Sequence, residues 1–289
     1  MDEIQQVSIE DKNYPESLKK IPDAPKILYY RGSFIKKEEH CFAVVGTRHP
    51  SPYGQQVTLQ IAGELANTGL TIVSGLAPGI DTFSHQACVE RKKRTIAVLG
   101  TGLDEESIYP QQNIELAKKI IENGGCLISE LPPKTHGSKF TFPKRNRIIS
   151  GLSLGVLVVE AKEKSGSLIT AKYAEQQRKK IFAVPGPIFS SNSKAPNTLI
   201  KNGATLVESV NDILSELGMQ SFALAQDKFS AENLEESLIL NVLKEESLYI
   251  DNIIEKTKLN APTVASTLAL MEISGKIRNL GGNVYSLNT

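Results

Sequence analysis

Short apolar runs alternate with helix-length amphipathic stretches through the first three quarters of the chain. Segments 42–46 (FAVVG), 71–74 (TIVS), 95–100 (TIAVLG), 126–129 (CLIS), 155–160 (GVLVVE) and 181–184 (IFAV) are strand-sized and rich in β-branched residues. They are almost wholly apolar, as strands covered on both faces must be. Between them, 54–67, 81–92, 111–122, 144–150 and 167–179 read as helices, and 204–208 adds a further strand. Such alternation predicts parallel βαβ units in an α/β fold, with an extended Rossmann-like, doubly wound, mostly parallel sheet. Residues 1–38, with Pro22 and Pro25 and little periodicity, read as a short N-terminal extension. Residues 39–218 form the Rossmann-like domain and 219–233 a linker. The remainder, 234–289, reads as three helices (234–244, 250–257 and 261–275) and a hairpin (276–280 and 283–287) turning at Gly281-Gly282. That is the arithmetic of a small winged-helix-like domain.

Composition narrows the class. Of 289 residues 40% are hydrophobic and 22% charged, ordinary for a globular protein. The start, MDEIQQ, is acidic and polar, unlike a secretory signal. The longest apolar runs are far short of a membrane span, so a cytoplasmic protein with no membrane association is expected. Cys41, Cys88 and Cys126 are scattered, without a CxxC or Cys/His cluster, and read as reduced, buried thiols. The net charge of +1 says little, but its distribution is uneven. From 131 to 159 there is no Asp or Glu, while Lys134, Lys139, Lys144, Arg145 and Arg147 all occur. A one-signed stretch of this kind focuses field on a polyanion. Residues 227–289 carry nine acids and six bases, a net of −3.

In open α/β sheets ligands sit beyond the carboxyl ends of the strands. Three such ends here are glycine-bearing: Gly46, Thr47, Arg48, Ser51 and Gly54 after the first strand; Ser74, Gly75, Ala77 and Gly79 after the second; Gly100, Thr101 and Gly102 after the third. Free amides at helix starts and the planar fork of Arg48 suit phosphate oxygens. The alternative is that each glycine serves only a tight turn. Asp81 is placed as a helix N-cap. No loop is a complete nucleotide fingerprint, since Glu105 replaces the third glycine of GxGxxG and no GxxxxGK[ST] exists, so no cofactor is expected. The segment Phe142-Pro143-Lys144-Arg145-Asn146-Arg147 is the most informative. Pro143 is suited to begin a helix, putting three cations in its first turn against the dipole unless an anion sits there. Alternatively Arg145 or Arg147 is tied to a carboxylate such as Glu130 or Glu160. Phe140 and Phe142 flank the segment as candidates for base stacking or for the core. Ser167, in Ser165-Gly166-Ser167, either donates to the same anion or caps the following helix. The string 151–155 (GLSLG) imitates a nucleophile elbow, but Ser153 lies between a helix and a strand, the wrong order for one. The four histidines lack metal-ligand spacing, and no base, nucleophile and orienting partner come together in the sequence.

These segments together resemble the DprA/Smf family of DNA-processing proteins over roughly residues 14–289. The resemblance is carried by YPESLKKIPDAPKILYYRG, VVGTRHPSPYG, IVSGLAPGID, GTGLDEESIYPQQN, SELPP, FPKRNRIISGLS, LVVEAKEKSGSLITA and IFAVPG. The resemblance implies a non-catalytic, dimeric protein that holds single-stranded DNA in a positive pocket, protects it, and helps load the RecA recombinase during natural transformation. It also implies that the pocket arginine is Arg48 and that Lys144, Arg145 and Arg147 are its basic partners. Three departures stand out: Thr47 where the family has serine, a reduced N-terminal region, and no glycine near Ala195. The rival class, nucleoside-monophosphate phosphoribohydrolases of similar fold, carries a PGGxGTxxE signature that this chain lacks. In the winged-helix-like domain, 261–272 offers no Lys, Arg, Asn or Gln to read base edges, so protein contact is expected there in place of duplex reading.

Overall fold

The computed structural model describes residues 3–33, 40–219, 234–243 and 246–287, and these fall into two units, 1–222 and 223–289. The first unit holds a nine-stranded sheet of order β1-β2-β6-β5-β4-β3-β7-β8-β9. Its strands are β1 Gln5–Ser8, β2 Ile27–Gly32, β3 Cys41–Val45, β4 Thr71–Ser74, β5 Thr95–Leu99, β6 Cys126–Ser129, β7 Gly155–Val158, β8 Lys180–Ala183 and β9 Thr205–Leu206. From β6 to β9 every neighbour pair is parallel. The chain winds outward from β3 through β4, β5 and β6, then restarts at β7 and winds the other way. The switch between the two directions lies between β3 and β7, where the carboxyl ends of the strands open a crevice.

The six long apolar runs became β3 to β8, and β3, β5, β6 and β7 are buried at every residue. Helices α1 (Glu16–Lys19), α5 (Thr141–Leu152), α6 (Ser167–Gln176) and α7 (Lys194–Lys201) pack Leu18, Ile148, Leu152, Ala171, Ala174 and Ala195 into one core. On the other face α2 (Pro52–Asn67) packs on α3 (Ile80–Glu90), and α3 lies beside α4 (Ile114–Glu122), whose Leu116, Ala117 and Ile120 join Leu99, Leu103 and Leu127. Helix α8 is Val210–Glu216.

One expectation is corrected at the N-terminus. Residues read as an extension outside the sheet supply β1 and β2, which run antiparallel to each other and to β6. Tyr14 and Leu28 are buried with the main core, and Tyr14 Oη donates to Pro25 O at 2.6 Å. The two prolines that hid the pattern sit in the connection between α1 and β2, where no ladder bond is needed.

The second unit packs α9 (Leu234–Leu243), α10 (Ile250–Thr257) and α11 (Ala261–Ile273) on a three-stranded sheet of order β10-β12-β11. Strands β11 (Ile277–Asn279) and β12 (Val284–Leu287) form the expected hairpin, and β10 (Leu248–Tyr249) is an addition the sequence did not announce. Val264, Leu268 and Met271 of α11 enter the core, whereas Leu270 and Ile273 point outward, Ile273 at 84% exposure. Most of the linker expected at 219–233 lies outside the described residues.

His85 of α3 has one notable electrostatic feature. It is fully buried, and its Nδ1 lies 2.8 Å from Thr95 Oγ1, whose own hydroxyl donates to Ile72 O. Nδ1 therefore carries the proton and Nε2 is left as a bare acceptor without a partner. Burial, aided by the nearby Arg145 charge, pushes the imidazole from 6.5 down to about 3. Because the unfolded chain takes up this proton first, the stability that His85 confers is complete above pH 6.5 and is lost as pH falls toward 3. In chemical denaturation, His85→Asn is expected to flatten the acid limb by up to about 1.4 kcal/mol per pH unit between roughly pH 6 and 4. Parallel curves for the two proteins would contradict the assignment.

Candidate nucleic-acid interface

A cavity of about 700 Å³ opens at the switch point. Its walls come from three elements that the topology brings together: Val45 to His49 after β3, the α5 residues Phe142, Pro143, Arg145, Asn146 and Ile149, and the segment from Lys162 to Thr170 after β7. Ala77, Asp81 and Lys139 complete it. Of the residues singled out in the sequence, Gly46, Thr47, Arg48, Ala77, Phe142, Arg145, Asn146 and Ser167 line this space. Arg48, Lys139, Lys162 and Lys164 are exposed around it. Lys162 and Lys164 were missed, because Glu163 between them disguises a basic loop that only the fold turns toward Arg48.

Other expected contacts are placed elsewhere. Helix α5 begins at Thr141, so Pro143 is its third residue and the basic residues sit deeper in the helix than a start at Pro143 implies. Proline is tolerated there because first-turn amides have no intrahelical acceptor. The deeper placement turns the cations in different directions. Arg147 is 2% exposed, with Nε 2.9 Å from Asp23 and Nη2 2.6 Å from Glu130. Lys144 lies 3.4 Å from the same Glu130, on the face of α5 opposite Asn146. Neither residue lines the cavity, and a charge carried into the core has been answered by carboxylates, as desolvation requires. Arg145 is buried but reaches the cavity wall. Its Nε donates to Asn146 Oδ1, and its Nη1 donates to the carbonyls of Gly75 and Val98. Burial pushes its pKa down to about 10, opposed by Asp81, which leaves it charged at neutral pH. Asp81 itself is raised by burial, with Arg145 opposing.

The glycine-bearing loops are also more committed than expected. Glu160 accepts from Ser51 N at 2.8 Å and Ser51 Oγ at 2.6 Å, while Ser51 Oγ takes the Gly54 amide. The start of α2 is thus capped by the protein's own carboxylate. Asp81 is not the cap of α3. Gly79 holds that position, and the Asp81 carboxylate accepts from Gly75 N at 3.1 Å, bracing the loop after β4. Gly79 has φ +83°, and a Cβ there would stand 2.4 Å from Thr47 O, so it lets the first two loops touch. Ser74 Oγ donates to Val44 O, Thr101 Oγ1 to Gly102 O, and Gly102 N to Thr135 O. Gly100 makes room for the Phe142 ring, which a Cβ would approach to 2.8 Å. Ser51, Gly54, Ser74, Gly75, Gly79, Gly100, Thr101 and Gly102 therefore build the frame around the cavity without lining it.

The first turn of α6 faces the cavity directly. Ser165, Gly166 and Ser167 all line it, the two hydroxyls lie 2.8 Å apart, the Ser167 and Leu168 amides donate to Ser165, and a Cβ added at Gly166 would meet nothing within 4 Å. Asn146 Nδ2 ties this turn to α5 through Gly166 O at 3.2 Å. The result is a basic rim over a floor of hydroxyls and a helix start, with apolar walls from Val45, Ala77, Phe142, Ile149 and Ile169. It suits a flexible chain of phosphates that also carries apolar rings. Among the described residues no group of His, Cys, Asp and Glu is arranged to hold a metal ion.

Comparison with known proteins identifies the family. Residues 5–218 match the family model of DNA recombination-mediator protein A, and 225–283 match the DprA winged helix domain. The chain is 45% identical to the DNA processing protein DprA of Bacillus subtilis over 215 residues, 74% of this chain and 71% of that protein. It is 38% identical to protein Smf of Escherichia coli over 282 residues, 95% of this chain and 75% of that one. The structure of DNA processing protein A from Streptococcus pneumoniae superposes with a TM-score of 0.68 at 40% identity, covering 74% of each chain. That of Helicobacter pylori, described for its single-stranded-DNA-binding mode, superposes at 0.66 and 30% identity, covering 76% of this chain and 97% of its own. The chain belongs to the DprA/Smf family, a Rossmann-like α/β protein with a C-terminal winged helix domain.

Proposed function

We propose that this chain binds single-stranded DNA without regard to sequence in the cavity at the β3–β7 switch, shields it, and passes it to the RecA recombinase during natural transformation, without catalysis. The observation that carries the reading is the set of exposed cations, Arg48, Lys139, Lys162 and Lys164, around a cavity whose floor includes the hydroxyls of Ser165 and Ser167. Contacts of this kind meet phosphate and carry no base code. The single-stranded-DNA-binding mode described for the Helicobacter pylori relative and the recombination-mediator description of the family support both halves of the reading. A cytoplasmic setting fits Cys41, Cys88 and Cys126, which are buried and not joined in disulfides. The winged domain serves protein contact, because α11 turns Leu270 and Ile273 outward where a duplex reader needs polar side chains.

The protein acts as a homodimer through the β9 edge of its sheet. Ile188 and Phe189, in the loop between β8 and α7, are exposed, Phe189 at 94%, and Leu206 of β9 adds to the same end. Apolar side chains held out of the core in this way mark association surfaces.

Two measurements test these statements. In binding titrations across salt, Arg48→Ala is expected to weaken every single strand about five- to ten-fold and to lower the salt slope by about 0.7. Lys144→Ala, its charge already offset by Glu130, should stay within about two-fold of the parent, and duplex of the same length should bind more weakly than single strands. Equal losses in the two variants would move the site toward the other face of α5. For assembly, Phe189→Glu is expected to convert a dimer to a monomer in sedimentation, and an unchanged dimer would place the interface elsewhere.

A further inference from the structure

We propose that Tyr109 stacks on a base of the bound strand and extends the binding surface outward from the cavity, an inference that rests on the single-stranded-DNA reading above. Phe142 is the aromatic of the cavity wall, but its ring is held edgewise in a slot. A Cβ on Gly100 would lie 2.8 Å from its Cδ1, and a Cβ on Gly137 would lie 2.4 Å from its Cζ. The Arg48 guanidinium is 6.0 Å from the ring centroid. Phe142 is thereby held in place as part of the wall, half-buried between Gly100 and Gly137. Tyr109 is the next ring outward. Its centroid is 5.5 Å from that of Phe142, the planes are inclined at 44°, and half of the residue is exposed, at 50%. Arg48, Phe142 and Tyr109 thus form a row that leads from the cavity to the surface.

The chemistry of the loop selects the kind of contact. Tyr109 follows Asp104, Glu105 and Glu106, of which the last two are exposed. Asp104 is occupied with Ser107 Oγ and the Lys134 amide. A phosphate gains nothing beside these acids, so what this loop offers a strand is a π face. Any base stacks on such a face, in keeping with binding that reads no sequence. The plainer role of Tyr109, covering Phe142, would be served equally by any apolar side chain, and that difference is measurable.

The experiment compares the full-length protein with Tyr109→Leu, which keeps an apolar cover, and Tyr109→Phe, which keeps the ring. Fluorescence anisotropy is read with a labelled oligothymidylate and with an abasic oligodeoxyribonucleotide of the same length. Tyr109→Leu is expected to lose about five-fold or more on the thymidylate and less than about two-fold on the abasic strand, while Tyr109→Phe matches the parent on both. Equal losses on the two probes, or none on the thymidylate, would overturn the proposal. A parent protein that binds both probes alike removes stacking and leaves phosphate binding standing. A parent that binds neither removes the single-stranded-DNA reading itself, and this inference with it.

Discussion

A charge withdrawn from water must be met by another charge or by hydrogen bonds, and helix α5 takes two arginines into the interior of this protein. That requirement organises the surroundings of the site. Arg147 draws Glu130 from the end of β6 and Asp23 from the N-terminal segment. It thereby fixes α5 against the strands that the first thirty-odd residues add to the sheet. Arg145 is met by the carbonyls of Gly75 and Val98, beside Asp81. Both arginines are fastened to the ends of the central strands, and α5 is oriented by them. Once α5 is oriented, Phe142 and Asn146 have no choice but to form the cavity wall.

The same principle separates framework from ligand surface. Carboxylates of Glu160, Asp81 and Asp104 accept from the backbone around the glycine-bearing loops, so much of the anion-binding capacity of those loops is used to hold the loops themselves. What stays exposed is the outer tier, the cations Arg48, Lys139, Lys162 and Lys164 around the mouth. An internally neutralised frame that presents an exposed basic rim suits the proposed ligand, a strand without fixed sequence or shape.

The winged unit follows a different logic. Its cations at Lys256 and Lys276 are paired with Glu246 and Glu236, and its third helix exposes Leu270 and Ile273 alongside Ser266 and Glu272. The architecture shared with many duplex readers is present, but the side chains that would do the reading are absent from that helix.

The period of hydrophobic positions by itself determined the α/β class, the six central strands and the winged unit. Burial on both faces leaves a mark on every residue of a short strand, and helices leave theirs every three or four. The local motifs named Arg48, Phe142 and Ser167 as candidates, with the core and a helix cap left open as alternatives for the last two. Only the tertiary structure decided which cations were spent internally. Lys144, Arg145 and Arg147 are near neighbours in the chain, yet the helical turn sends them toward Glu130, Gly75 and Asp23, partners up to 124 residues away. Strands β1 and β2 escaped notice because the edge strand β1 is short and mostly polar and the prolines of the connection before β2 masked the pattern around it. The basic loop at 162–164 escaped it because its value depends on facing Arg48 across the switch point. Periodicity is a property of adjacent residues and is legible in one dimension, whereas charge compensation depends on distances that exist only after the sheet has closed.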